Sequence, residues 1–235
     1  HLSDGVHIRI PKNMLCDSPI YITSISSDKM EFHANYSRIH IHAEAGSKAT
    51  IIEHNIYSNH REYYKNKVLQ INAEQNSTIE HINITEDSSG SYSINNLIID
   101  QAQDSMVSSN NFYLGFGFMR NDLILNLNGQ SSNIKLNGLF LGKEHQFIDN
   151  NIIVNHNKPH TVSNVIYKGI LNQHSKGVFN GLVNVLPKCY QICSDQKNQN
   201  ILLSKEAKIN SNPKLKIDCD DVKCSHGSTT GNMNK

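Results

Sequence analysis

The chain has 235 residues, of which 22 are Lys or Arg and 21 are Asp or Glu, so its formal net charge is +1. This balance predicts neither a nucleic-acid partner nor an anionic membrane surface as partner, because both require an excess of basic charge. The apolar runs are far shorter than the roughly 20 residues that cross a bilayer, so no membrane span is predicted. The length suits one large domain, and we expect residues 1–235 to form a single unit.

Short alternations of apolar and polar residues recur from end to end of the chain. They stand at 6–10, 38–42, 123–127 and 214–218, and alternation with a period of two is typical of half-buried strands. Clusters of Asp, Ser, Asn and Gly lie between these runs and are typical of turns. Helical periodicity with capping residues is hard to find. We therefore predict an all-β fold.

An internal repeat sharpens this prediction. Ile-His-Ala-Glu at 41–44 is followed by Ile-Ile-Glu-His at 51–54, and about 30 positions later Ile-Asn-Ala-Glu at 71–74 is followed by Ile-Glu-His-Ile at 79–82. A repeat of this length indicates stacked units, and stacked units of short strands predict a β-helix, which is a solenoid. The many asparagines fit this fold because stacked amides can form hydrogen-bonded ladders. An AT-rich genome would enrich asparagine equally well.

The five cysteines and the first residues bear on the compartment. Five is an odd number, and the spacings are not those of a small disulfide scaffold, which favours free thiols in a reducing compartment. The opening residues lack a charged head followed by an apolar core, so no secretory signal is expected. The missing initiator methionine suggests a fragment or a processed product. We expect the cytoplasm or the interior of a plastid-like organelle.

The segment 220–231 concentrates the metal-binding chemistry of the chain. Cys224 and His226 are spaced so that both side chains lie on the same face of an extended segment, and soft or borderline metal ions prefer such ligands. Asp220 and Asp221 precede them, either as orienting partners of the imidazole or as structural residues of a turn. The alternative is a small buried thiol beside a surface histidine. Two ligands do not close a zinc site, which needs four, so another chain or an incoming cluster must complete this one.

Three weaker motifs also carry candidate ligands. Cys189 and Cys193, four positions apart on a segment predicted to be extended, are interpreted as structural thiols on the same side of the chain. His156 and His160 flank a proline turn and form either a weak metal site or a hydrogen-bonded corner. His-x-His-x-Glu at 40–44 imitates half of a cupin metal motif, but its glutamate comes too soon and the second histidine box is missing.

Four segments, in order, resemble the SufB/SufD family of iron-sulfur cluster assembly proteins. They are the strands near 5–20, the core signature at 156–181, the polar-to-apolar run at 196–204 and the closing motif at 220–227. Gly227 follows the histidine where SufB-like chains tend to carry glutamate, which resembles the SufD branch. The chain departs from the family pattern at Val165, where glutamine is usual, and at the two cysteines 189 and 193.

This resemblance implies a right-handed parallel β-helix that acts as a non-catalytic scaffold with a SufB-like subunit and the SufC ATPase. It implies no cofactor held stably by this chain, and an iron-sulfur cluster that forms transiently at the interface between the two subunits. His226 is the residue expected to contribute to cluster assembly, Cys224 is its weaker companion, and Asp220 and Asp221 are orienting or structural. The family's helical regions before and after the β-helix are missing from the chain, so direct contact with SufC is not expected.

Two other functions remain open at this level. Polysaccharide lyases and hydrolases share the solenoid, and a carbohydrate-active enzyme would need a cluster of carboxylates and basic residues along an outer groove. A purely structural homodimer would use the end of the solenoid, where unpaired strand backbone must be capped or paired. No helical cap follows the last predicted strand, so pairing with another chain is expected there.

Overall fold

The computed structural model describes residues 4–26, 33–57 and 62–233, and within them it contains strands and turns but no helix. In chain order the strands are β1 (Asp4–Ile10), β2 (Ile20–Ser26), β3 (His33–Ala43), β4 (Lys48–Tyr57), β5 (Tyr63–Ala73), β6 (Thr78–Glu86), β7 (Ser91–Gln101), β8 (Met106–Gly115), β9 (Phe118–Leu127), β10 (Asn133–Gly142), β11 (Phe147–His156), β12 (Val162–Leu171), β13 (Lys176–Val185), β14 (Ile192–Leu202), β15 (Lys208–Ile217) and β16 (Val222–Asn232). The all-β prediction is confirmed. No helix that could cross a membrane occurs in this part of the chain.

The strands form two parallel sheets of eight strands each. The odd-numbered strands lie side by side in chain order from β1 to β15 and form sheet A, and the even-numbered strands from β2 to β16 form sheet B. The chain therefore passes from one sheet to the other at every turn, and each pair of consecutive strands is one rung of a β-solenoid. The predicted β-helix is confirmed, and the first three residues and the last two lie outside the described part.

Side chains that point between the two sheets form continuous ladders. One inward position of sheet A is aliphatic in every strand, and its members are Ile8, Ile41, Ile71, Ile99, Leu125, Val154, Val183 and Leu215. The six members between the first and the last are fully buried, and each such side chain contributes roughly 1.5–3 kcal/mol on burial. Apolar alternation in the sequence thus becomes a core that runs the length of the stack.

Seven of the eight rungs that the structure describes pass from sheet A to sheet B through a corner that contains a residue in the left-handed conformation. Asn13, Asn76, Asp104 and Ser131 adopt φ values of 59°, 58°, 56° and 59°, and Gly46 takes the same place with φ 69°. Asn, Asp and Gly tolerate this conformation better than other residues. At Gly46 an added Cβ would also come within 2.4 Å of Asn13 Oδ1. The turn chemistry predicted between the strands is therefore a corner that recurs along most of the solenoid.

An asparagine ladder follows the outer face of sheet A. Asn126 Nδ2 donates to Asp100 Oδ1 at 2.9 Å, Asn155 Nδ2 donates to Asn126 Oδ1 at 2.9 Å, and Asn184 Nδ2 donates to Asn155 Oδ1 at 3.2 Å. These residues share one register position on four successive strands of the sheet. The amides of Asn126 and Asn155 both donate and accept along the stack, so hydrogen-bonded ladders of the kind that the asparagine content suggested are present.

A buried ion pair connects the two sheets near the N-terminal end. Lys67 on β5 pairs with Glu53 on β4, and the two side chains are only 6% and 1% exposed. His81 Nε2 lies 3.6 Å from the second carboxylate oxygen of Glu53. Burial would raise the pKa of Glu53, but the charge of Lys67 and the hydrogen bond of His81 together hold this pKa far below its usual value. Glu53 is therefore ionised inside the solenoid.

A second buried pair lies beside the first. Lys65 Nζ donates to Asn55 Oδ1 at 3.1 Å and lies 3.8 Å from Asp87 Oδ1, which is on the chain after β6. Ser93 Oγ donates to the other oxygen of Asp87 at 2.9 Å. Burial lowers the pKa of Lys65, and the charge of Asp87 opposes that shift. The interior near this end therefore contains two cations and two anions in mutual contact.

Replacement of Glu53 by glutamine should destabilise the protein by about 3–5 kcal/mol, because it leaves the Lys67 cation buried without a counter-charge. The free energy of unfolding is measured by urea titration. The double variant Glu53→Gln with Lys67→Met should recover part of the loss, since it removes both charges.

The matched control is Glu80→Gln on the next strand of sheet B, whose side chain is exposed. A change there should stay within about 0.5 kcal/mol. Equal urea midpoints for Glu53→Gln and Glu80→Gln would contradict a stabilising role of the buried pair.

Candidate functional site

The last rung of the solenoid carries the predicted site residues. It consists of β15, a turn at 218–221 and β16, and these two strands are the edge strands of sheets A and B. β16 pairs in parallel with β14 on one side, and no other described strand pairs with its second side. Side chains that would be interior in an earlier rung are therefore reachable from outside in this one.

Cys224 and His226 occupy neighbouring inward positions on β16. In register, Cys224 lies beside Ser194 of β14, and His226 lies beside Gln196. Ser194 and Gln196 are 2% and 0% exposed, whereas Cys224 is half-buried and His226 is exposed. The thiol and the imidazole thus continue the buried row of β14 in a rung where that row is accessible to solvent. Their shared face agrees with the Cys-x-His spacing in the sequence.

A chain of buried hydrogen bonds ends beneath Cys224. His156 Nδ1 and Nε2 lie 2.7 Å from Thr161 Oγ1 and 2.9 Å from Ser163 Oγ, and Ser163 Oγ lies 2.8 Å from Ser194 Oγ. Both nitrogens of His156 are thereby used. Of the two interpretations of the histidines around the proline turn, the hydrogen-bonded corner is the one present, and His160 is an exposed residue of that corner.

The thiol of Cys224 is protonated at neutral pH. Burial raises its pKa, the neighbouring Cys193 raises it further, and a backbone hydrogen bond from Ser194 only partly opposes them. The thiolate is the form that binds iron or zinc. A metal ion that used Cys224 would therefore have to displace a proton, so binding would weaken as the pH falls.

Gln196 begins the run at 196–204 that carries part of the family resemblance, but it was not predicted as a site residue. Its Nε2 donates to Gly181 O at 3.3 Å, while its Oε1 is buried without a hydrogen-bond partner in the described part of the chain. A Cβ on Gly181 would come within 2.4 Å of this oxygen, so the glycine makes room for the amide. In register, the backbone of Gln196 lies one strand spacing, about 4.8 Å, from that of His226. Only the pairing of β14 with β16 reveals this neighbour.

Asp220 and Asp221 lie in the turn before β16, and both are exposed. The Asp221 carbonyl accepts the Gln191 N–H at 2.6 Å, and the Asp220 carbonyl accepts the Val222 N–H at 3.2 Å. Asp221 lies five positions before His226 on an extended segment, so their backbones are about 16 Å apart. These contacts favour the structural alternative for the two aspartates, and the Gln196 amide is nearer to the imidazole than either carboxylate.

The other cysteines at this end do not share one face. Cys189 is buried in the corner between β13 and β14, whereas Cys193 is exposed on the outer side of β14. The prediction that both lie on the same side of an extended segment is wrong, because the chain bends between them at Gln191, which has a φ of 56°. Cys219 is half-buried and packs against the core together with Cys224. All five cysteines are free thiols.

The two edge strands differ in how they are protected. β15 carries Pro213 and three lysines, Lys208, Lys214 and Lys216. Proline and lysine on an edge strand discourage pairing with another strand. β16 contains no proline and a single lysine, Lys223. The unprotected edge of the last rung is therefore the strand that carries the thiol and the imidazole.

A groove of about 1020 Å³ lies on the outer face of sheet A. Two carboxylates line it, Glu74 and Asp100, together with the basic side chains of Arg38 and Lys158. Glu74 Oε1 lies 2.8 Å from His42 Nε2, and Asp100 Oδ1 accepts a hydrogen bond from the asparagine ladder at 2.9 Å. The groove therefore contains the acidic and basic residue types that the carbohydrate-active alternative needs, but both carboxylates are already held as hydrogen-bond acceptors.

No three His, Cys, Asp or Glu side chains of the described residues are close enough together to hold one metal ion. The cupin-like segment at 40–44 fits this finding, since His42 contacts Glu74 and Glu44 pairs with Arg9. On this chain alone the last rung offers two ligands. Any metal centre there must draw its other ligands from elsewhere.

Comparison with known proteins gives a consistent result. The model of the SufBD core domain, described as SUF system FeS cluster assembly, matches residues 23–235. The chain is 29% identical to "Iron-sulfur cluster assembly protein SufD" of Escherichia coli, over 99% of this chain and 57% of that protein. An iron-sulfur cluster assembly SufBD family protein of Synechocystis sp. is 27% identical over 99% of this chain and 53% of its own length.

A plant relative is also similar. "Protein ABCI7, chloroplastic" of Arabidopsis thaliana is 25% identical over 98% of this chain and 50% of that protein. The chain thus spans about half the length of the curated relatives that it matches.

The hydrogen-bonded His156 makes the stability of the protein depend on pH. Burial lowers the pKa of His156 to about 4, whereas an unfolded histidine titrates near 6.5. Between these values the unfolded chain binds more protons, so stability should be lost as the pH falls from about 6.5 to 4, by about 3 kcal/mol in total. Unfolding in urea at several pH values measures this slope.

In His156→Gln the slope should flatten over that pH range, even if the variant is less stable at pH 7. The control His160→Gln removes an exposed histidine of the same corner and should keep the wild-type slope. A His156→Gln slope equal to that of the wild type would show that this imidazole does not stay neutral inside the protein.

Proposed function

The chain belongs to the SufBD core domain family, which serves FeS cluster assembly in the SUF system, and we propose that it is a non-catalytic scaffold subunit of that process. In this proposal the chain pairs with a SufB-like subunit and acts together with a SufC-like ATPase. The observation that carries the proposal is the placement of His226 and Cys224 on the open face of an unprotected edge strand.

The two side chains suit a cluster that is built and then released. Iron accepts both thiolate and imidazole, and the ligand set tunes the stability and potential of a cluster. Two ligands from this chain leave the remaining positions to the partner subunit. The raised pKa of Cys224 makes its ligation conditional on proton loss, whereas the exposed His226 has no such burial to overcome. We therefore propose His226 as the main contributor and Cys224 as the weaker one.

Gln196 is proposed to position the imidazole. Its unpartnered Oε1 can accept a hydrogen bond from one ring nitrogen of His226, which leaves the other nitrogen free to bind metal. Metal-bound histidines commonly donate their second N–H in this way. Asp220 and Asp221 are assigned the structural role of shaping the turn into β16.

The SufB-like partner is proposed to dock along β16. The Met233 N–H donates to the Leu202 carbonyl at 3.0 Å. Since successive N–H groups of a strand point to alternate sides, the even-numbered residues 224–230 turn their backbone groups to the free edge. Pairing of a second chain with these groups would bring its ligands beside His226. Contact with the SufC-like ATPase is assigned to regions outside this β-solenoid.

The same edge could pair two copies of this chain. A structural homodimer is therefore the alternative for the isolated chain, and the heteromeric complex would compete with it for β16. For the compartment we propose the cytoplasm or a plastid-like organelle. Free thiols support both choices, and one similar protein is named chloroplastic.

Replacement of His226 by alanine should leave the fold intact, because the side chain is exposed on the last strand. Loss of an outer-shell partner alone costs 10–100-fold in metal affinity, so loss of a ligand should cut cluster yield at least about tenfold. Yield is measured as iron and sulfide bound after anaerobic reconstitution of the complex with SufB-like and SufC-like subunits. Cys224→Ser should show a smaller loss.

The matched control is Ser228→Ala, which truncates the next inward side chain on the same strand. Its cluster yield should equal that of the wild type. Normal yield in His226→Ala, with normal complex formation, would remove the site assignment.

Docking along β16 is tested separately with Ser228→Pro. This change removes a backbone donor on the free edge and leaves the pairing with β14 in place. Size-exclusion chromatography with light scattering should show loss of the complex with the SufB-like subunit, while Ser228→Ala still assembles. An intact complex with Ser228→Pro would place the partner elsewhere.

A further inference from the structure

A pair of imidazoles at the other end of the solenoid is not used by the assembly role. His7 on β1 and His40 on β3 are partners in the register of sheet A, and both project from its outer face. Their Nδ1 atoms lie 3.0 Å apart, the ring centroids are 4.8 Å apart, and the ring planes are inclined by 38°. The two rings thus direct a nitrogen, rather than a ring face, at each other.

The second nitrogen of His40 is occupied. His40 Nε2 lies 2.9 Å from Asn72 Oδ1, on the next strand of the sheet. An amide oxygen can only accept a hydrogen bond, so Nε2 carries the proton and donates it. In the neutral ring Nδ1 then presents a lone pair, and this lone pair is aimed at Nδ1 of His7. Asn72 therefore holds His40 in the tautomer that can bind a metal through Nδ1.

The separation of the two nitrogens suits a shared metal ion. Ligands at about 2.1 Å from a metal are about 3.0 Å apart when their bonds form a right angle, and about 3.4 Å apart in a tetrahedron. The observed 3.0 Å corresponds to the right angle. Right-angle geometry with nitrogen ligands is typical of Ni²⁺ and Cu²⁺, which prefer imidazole to carboxylate.

We propose that His7 and His40 form a binding site for a divalent transition-metal ion of this class, with Asn72 as a positioning residue. The nearby Glu44 is not a ligand, because it accepts from the Arg9 side chain and from the backbone N–H of Lys12. The site has two protein ligands and leaves its other positions to water or to a second molecule. This site is independent of the cluster-assembly residues at the opposite end of the stack.

A second histidine pair provides a built-in comparison. His145 and His174 also lie on successive rungs, in the corners that lead into β11 and β13, with ring centroids 5.0 Å apart. Their rings are stacked at an interplanar angle of 6°, so faces rather than nitrogens oppose each other. Stacked faces do not present two lone pairs to one ion. The distance between the ring centroids is therefore nearly the same in the two pairs, and the pairs differ in the orientation of their rings.

The test is a calorimetric titration of the full chain with NiCl₂ at pH 7.5 under a phosphine reductant. Every variant carries His1→Ala, because an imidazole at the chain start would bind the same ion. We expect His7→Ala and His40→Ala each to lose one equivalent of Ni²⁺ or at least tenfold in its affinity. Asn72→Ala should lower the affinity roughly 10–100-fold through loss of the outer-shell hydrogen bond. His145→Ala should bind as the parent does.

The ligating atoms are identified by nitrogen NMR of the histidine rings with substoichiometric Ni²⁺, which is paramagnetic and broadens the resonances of the nitrogens that bind it. The Nδ1 resonances of His7 and His40 should broaden on addition of the ion, and those of His145 and His174 should not. Binding by His7→Ala equal to that of the parent would overturn the proposal. An equal loss in His145→Ala would overturn it as well, and so would Nδ1 resonances that stay sharp, which would leave a simple hydrogen bond between the two imidazoles.

Discussion

In-register parallel stacking is the constraint on which the whole structure depends. Each residue lies beside the residue at the same position of the neighbouring rung, about 4.8 Å away, so every inward or outward position becomes a row of side chains. Such a row is stable only when neighbouring side chains pack against each other or form hydrogen bonds with each other. Aliphatic rows such as Ile41, Ile71 and Ile99 fill the interior, while the amides of Asn126 and Asn155 satisfy each other on the outer face.

The same constraint explains how charge is tolerated inside the solenoid. Glu53 and Lys67 come from different sheets and meet across the interior, where burial alone would disfavour both charges. Beside them, Lys65 of β5 meets Asp87 of the segment that connects β6 to β7. A lysine and a carboxylate from opposite sheets specify which rung faces which, since a shift by one residue would turn each charge to the other face of its sheet. The polar interior therefore ties the two sheets together at this end of the stack.

Among the described strands, β16 is the one on which inward side chains with metal-binding chemistry are accessible. β16 repeats the inward alternation of earlier strands, but its row of Cys224, His226 and Ser228 has no described strand above it. Buried polar groups of β14, Gln196 above all, then become neighbours of an exposed imidazole. A scaffold that shares a cluster needs such an arrangement, because half of the ligand set must stay accessible to a partner. The family relationship and the open rung thus point to the same role.

The sequence by itself determined the fold class, the repeat and the identity of the closing motif. These features are patterns within the sequence: period-two alternation, a repeat of about 30 residues and the Cys-x-His spacing. Such patterns can be recognised without knowledge of which distant residues are in contact. Only the tertiary structure decided which polar residues lie inside. Glu53 and Lys67 are of residue types that are rarely buried, yet they occupy inward positions of β4 and β5, and Gln196 is indistinguishable from its polar neighbours on β14.

Cys189 and Cys193 show the same limit, because a short turn in a chain predicted to be extended moved one thiol into the core and left the other outside. The pairing of His7 with His40 was equally hidden, since 33 residues separate them along the chain. The physical reason is common to all these cases: the face of a strand is set by local alternation, whereas the neighbour across a rung or between sheets is set by register, which depends on the length of every intervening turn.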